Sequence, residues 1–169
     1  MQSHPFADIC LPTAPSHYEI EPVAKYCASF IAANALGITD LRRSPSSGEL
    51  VEYITWTLRR TKLRAWRVTA FGALVLLGRL KEKSQIKVGG SVWRCGCRLW
   101  LLTFMLASKS LVDNTFGQRA WAELGRTILT RQTLDKLERG LCRTLDWELV
   151  ITDAELGKFG GGLVPHGTA

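Results

Sequence analysis

Histidine is scarce in this chain. Its three copies, His4, His17 and His166, all fall close to the ends. The expected interior therefore lacks the usual general base. Phosphate-cradling loops are missing too: Gly160-Gly161-Gly162 is followed by neither a lysine nor a helical pattern. Ser108 and Lys109 do not make a nucleophile–base pair, because adjacent helical residues diverge by about 100°. The longest apolar stretches, Val68–Gly78 and Leu99–Ala107, fall well short of the roughly 18–20 residues that span a bilayer. Residues 1–15 have neither a basic start nor an apolar centre, so no signal peptide is expected. The five cysteines are odd in number and include no C-x-x-C spacing, which predicts a reduced, intracellular chain. Cys95-Gly-Cys97 lacks the further ligands that a metal needs. Strand patterning is confined to Ile86–Val92, which two glycines interrupt. The expectation is a protein with no enzymatic chemistry, cofactor, metal or membrane span.

What is present is helical. The chain has 169 residues, 46% of them hydrophobic and 22% charged, the composition of one globular domain with tails. Residues 1–16 read as a disordered tail rich in Pro, Ser and His. Residues 17–46 read as an N-terminal helix, near Pro22–Leu36, followed by a polar linker. Residues 47–150 form the main body. Ser46 and Glu49 fit a capping box, and Leu50, Ile54 and Leu58 form one stripe of a first helix. A second helix covers about Arg64–Glu82, and a long connection, Lys83–Gly96, follows it. A third covers about Cys97–Ser110. Its Leu99–Ala107 segment has no polar face, so other helices must surround it. A short fourth helix, Gly117–Leu124, is anchored by Trp121. A fifth, Arg131–Leu145, starts from the cap Thr130 and aligns Leu134, Leu141 and Leu145, with Glu138 at the edge of that stripe. Residues 151–169 read as a flexible C-terminal tail.

Charge is unevenly spread. The net charge is +7, and from Arg42 to Lys87 eleven Lys and Arg face three acids, Glu49, Glu52 and Glu82. The densest cluster, Arg59, Arg60, Lys62, Arg64 and Arg67, suits an acidic or phosphorylated protein, or nucleic acid. A solvated helix face is the plainer account of the same pattern.

Five helices around a wholly apolar third one, closed by Leu106-Ala107-Ser108-Lys109, resemble a cyclin box. Lys136-Leu137-Glu138-Arg139, leading to Leu145-Asp146-Trp147-Glu148-Leu149, adds to the resemblance. So does the separation of Lys109 and Glu138 by 29 positions (138 − 109). Asp113-Asn114-Thr115-Phe116 and Trp121 resemble a segment of the fungal Pho/Pcl-type cyclins. The resemblance implies an all-α fold: a single five-helix cyclin box, with an additional N-terminal helix and flexible tails. It implies a nuclear and cytoplasmic subunit that binds and activates a cyclin-dependent serine/threonine kinase by holding its αC helix inward. It implies kinase contacts at Lys109, Glu138, Leu106, Cys142, Leu145 and Leu149. Two departures shrink the apolar contact: Ser110 stands where many cyclins have an aromatic, and Cys142 where leucine is common. Glu49 and Gly78 stand where many cyclins place an arginine and an acid, so the supporting ion pair of the family is absent or rebuilt. The alternatives are a nucleic-acid-binding module of cyclin fold, like general transcription factor B, and a non-activating scaffold.

Overall fold

The computed structural model describes residues 15–36, 47–63, 65–83, 95–113, 116–126 and 128–160. These form seven α-helices: α1 (His17–Ile31), α2 (Ser47–Thr61), α3 (Trp66–Lys83), α4 (Gly96–Leu111), α5 (Gln118–Leu124), α6 (Arg131–Thr144) and α7 (Asp153–Gly160). A π-helical turn, Ala32–Leu36, extends α1. No strand occurs among the described residues, and no helix among them is long and apolar enough to cross a membrane.

α4 is the centre, as its lack of a polar face requires. Every residue from Leu99 to Ser108 is buried. Its broadest packing is against α3, and α1, α2 and α6 close round it. Trp100 stacks on Phe104 at 4.9 Å between ring centroids. Phe104 meets the edge of Trp121 at 5.9 Å, which fixes α5 to the core. The indole N–H of Trp100 donates to Thr57 Oγ1 on α2 at 2.7 Å. A buried indole needs such a partner.

Both ends differ from expectation. α1 starts at His17 rather than near Pro22, because Ser16 and Glu19 form a capping box: Ser16 N–H donates to Glu19 Oε2 at 2.8 Å. Pro22 lies inside the helix. At the other end, the expected flexible tail contains α7, packed on α3. Thr152 and Glu155 form its cap: Thr152 N–H donates to Glu155 Oε2 at 2.9 Å, and Glu155 N–H to Thr152 Oγ1 at 3.3 Å. Phe159 then reaches Phe30 and Phe71, at 5.4 and 6.5 Å. The Ser46 cap, most of the Lys83–Gly96 connection and the last nine positions lie outside the described residues.

Arg79 holds α7 in place. Its guanidinium donates to Glu148 O and Val150 O, both at 2.7 Å, and to Glu155 Oε1 at 2.6 Å. The arginine pulls the Glu155 carboxyl down to about 2, with the Thr152 backbone N–H adding to the effect. Gly78, the neighbour of Arg79, makes no ion pair, but the residue beside it ties the second half of the chain to α3.

Candidate functional site

α4 ends at Leu111, and Lys109 lies in its last turn, where a cation suits the helix dipole. Glu138 lies in the middle of α6. Packing of α4 against α6 brings the Lys109 ammonium onto Glu138 Oε1. The pair is part of a small network. Lys109 Nζ also donates to Gln118 Oε1 at 3.1 Å, and Gln118 Nε2 donates to Glu138 Oε2 at 2.9 Å and Asp135 Oδ1 at 2.7 Å. Lys109 and Glu138 side chains remain 29% and 18% exposed. The charges are thus oriented by the fold and still open to solvent on one side. Such groups can make charge-assisted hydrogen bonds to another molecule's backbone.

The apolar residues expected around them are placed differently. Leu106 and Leu145 are 2% and 0% exposed, so in the free chain they lie beneath the surface. α4 is enclosed on all sides, and Leu145 closes the end of α6 onto the core. Cys142 is also buried, and burial raises its thiol pKa, with Glu138 adding to the rise. Only Leu149 is partly accessible. The exposed apolar groups are instead Trp147 and Val150, at 63% and 77%.

The backbone around Trp147 is unusual. Asp146 and Trp147 adopt φ of 52° and 60°, a left-handed conformation that costs about 1–2 kcal/mol per non-glycine residue. Lys83, at the end of α3, offsets part of this cost. It donates to Leu145 O at 3.2 Å and pairs with Asp146 and Glu148, each at 2.9 Å. These carboxylates raise the Lys83 pKa. Ser110 Oγ donates to Leu149 O at 2.7 Å, which lays residues 147–150 beside the Lys109 end of α4. Leu149 is thus tied to the end of α4 that carries the polar network, and Trp147 and Val150 are exposed apolar residues of the same segment.

The basic cluster divides. Arg59, Arg60 and Lys62 are exposed at the end of α2. Arg64 lies outside the described residues. Arg67 stands apart, its guanidinium 5.2 Å from the Trp66 ring centroid and its Nε buried without a partner among the described residues. At Cys95-Gly96-Cys97, Cys95 is the N-cap of α4. The neighbouring Cys97 thiol lowers the Cys95 pKa, while that of Cys97 rises. No group of three or more His, Cys, Asp or Glu among the described residues is placed to share a metal ion.

Comparisons with protein-family models, with curated proteins and with solved structures each give no match to this chain.

Proposed function

We propose that this all-helical chain is a cyclin-like regulatory subunit. It docks a cyclin-dependent serine/threonine kinase through the surface formed by the ends of α4 and α6 and by residues 147–150. The observation that carries this reading is the pairing of Lys109 and Glu138 across 29 positions of sequence, partly open to solvent. The pattern suits a protein interface: oriented charges that can make charge-assisted hydrogen bonds to a partner.

In this reading Lys109 and Glu138 bond to backbone groups at the kinase αC helix, while Trp147 and Leu149 press on its apolar side. Holding αC inward brings its glutamate to the lysine that orients the ATP phosphates. The chain itself performs no chemistry; it shifts the kinase toward its active arrangement by binding that arrangement more tightly.

The test is a titration of the purified chain against a panel of cyclin-dependent kinases, reading both complex formation and phosphorylation of a peptide substrate. Saturable binding to one kinase with a rise in its activity is expected. Binding without activation leaves a scaffold. Absence of binding to every kinase of the panel overturns the reading.

A further inference from the structure

A second surface lies at the far end of α2. Trp56, Arg60 and Lys62 line two adjoining hollows of about 500 and about 630 Å³. Arg59 completes the first, which runs between α1 and α2. Phe116 and Arg126 lie in the second. Trp56 is 45% exposed, although it is a large apolar residue. It is braced from one side by Tyr53, whose ring stacks on it at 5.9 Å. Tyr53 is in turn fixed, its hydroxyl donating to Leu124 O on α5 at 3.0 Å. The tryptophan is thus held on a rigid platform between the two hollows.

The cations there are uncommitted. Arg59, Arg60 and Lys62 have no ion-pair partner among the described residues, whereas two of the three nearby acids are taken: Glu21 by Lys25 at 2.6 Å and Glu123 by Arg126 at 3.8 Å. Lys62 adopts φ 47°, just beyond the helix end, where glycine is the residue without strain. The chain keeps a lysine there at a conformational cost.

We infer that this surface binds a phosphorylated linear segment of another protein, with its phosphate against Arg59, Arg60 and Lys62 and a neighbouring apolar side chain on Trp56. Two arginines and a lysine on one helix end supply the forked and point donors that a phosphate dianion takes. An acidic segment of this chain itself suits the surface poorly, because the sequence beyond the described residues carries few acids. Residues 1–14 hold only Asp8, 37–46 only Asp40, and 84–94 and 161–169 none. A nucleic acid suits the surface less well. Its run of phosphates needs cations spread along a track, and here Glu21, Glu52 and Glu123 interrupt the basic surface. The site is distinct from the Lys109–Glu138 surface and does not depend on kinase docking.

The test uses the full chain and an array of short synthetic peptides in which phosphoserine is placed at varied distances from a leucine. Matched unphosphorylated peptides and a single-stranded oligothymidylate are included, and affinity is read by fluorescence anisotropy. At least one phosphopeptide is expected to bind saturably and to weaken by about tenfold or more without its phosphate. The Arg60→Glu/Lys62→Glu double variant should weaken it similarly, and Trp56→Ala by roughly fivefold, with circular dichroism unchanged. Lys136→Glu, a charge reversal elsewhere, should leave it unaltered. The inference is overturned if no phosphopeptide prefers the native chain to the double variant, if phosphate makes no difference, or if the oligonucleotide binds more tightly than every peptide.

Discussion

Replacing Lys109 by alanine separates a docking pair from an internal brace. In the free chain the pair is partly solvated, with side chains 29% and 18% exposed, so its internal contribution is modest. Fully exposed pairs give about 0–1 kcal/mol. Partial burial and the shared Gln118 amide raise the expected stability loss to about 1–2 kcal/mol. After Lys109→Ala, Glu138 keeps only the Gln118 amide, whose two N–H groups already donate to Glu138 and to Asp135. In a kinase complex the same substitution leaves Glu138 desolvated without its cation. Truncating one member of such a pair typically costs about 2–5 kcal/mol, or roughly 30-fold to roughly 4,000-fold in affinity. The two effects are measured separately: urea denaturation of the free chain, and calorimetric titration of the kinase that binds it. A cycle with Glu138→Ala should show the two substitutions to be strongly non-additive in binding. If the binding loss does not exceed the stability loss, the pair only braces α4 on α6 and the docking argument fails.

Other perturbations test the fold that carries these surfaces. Arg79→Ala removes three acceptor contacts, to Glu148, Val150 and Glu155. It should cost about 2–3 kcal/mol and speed amide exchange through α7. The Glu155 carboxyl is held down to about 2 from its ordinary 4.5. Its contribution is therefore present above about pH 4.5 and lost as pH falls toward 2; acid titration of stability should show this decline in the native chain and less of it in Arg79→Ala. Thr57→Val leaves the buried Trp100 N–H without its acceptor, and denaturation should register a loss of about 1–3 kcal/mol. Two glycines of α3 should respond oppositely to alanine. At Gly72 an added methyl meets Leu111 Cδ1 at 2.7 Å, Ile151 Cδ1 at 3.1 Å and Ala107 Cβ at 3.3 Å, and crowding should cost about 1–3 kcal/mol. At Gly78 nothing lies within 4 Å, and helix propensity should stabilise the chain by about 0.5–1 kcal/mol.

The centre of the bundle is legible in the sequence for a simple reason. A segment such as Leu99–Ala107 has no polar face to give to water, so its position follows from composition alone. The Thr130 cap is legible for an equally local reason: Thr133 N–H donates to its hydroxyl at 3.2 Å. The same local logic marks Ser16–Glu19 and Thr152–Glu155, since each is a hydroxyl followed three residues later by glutamate. Reading the termini as tails passes over both, because α7 is short and has little apolar periodicity. Which leucines reach the surface is not legible. On a helix enclosed from every side, spacing does not say whether Leu106 faces in or out. The meeting of Gln118, Asp135 and Glu138 depends on how α5 and α6 cross α4. The conformation around Trp147 includes two left-handed residues in a segment held by one lysine and one arginine distant in sequence.

That arrangement joins stability to the proposed function. Residues 147–150 belong to no helix, and their conformation is unfavourable on local grounds. Three side chains from elsewhere hold them: Lys83 on Leu145, Asp146 and Glu148, Arg79 on Glu148 and Val150, and Ser110 on Leu149. Arg79 and Lys83 lie four residues apart on α3, one helical turn, so both act from the same face. The same guanidinium also holds Glu155 and hence α7. The charged clamp thus runs from α3 to the segment after α6, the segment that presents Trp147. The segment that carries this exposed tryptophan is held by six polar contacts, so it has lost much of its freedom before any partner arrives. Association then carries a smaller ordering cost, a reason for a small domain to maintain strained residues on its surface.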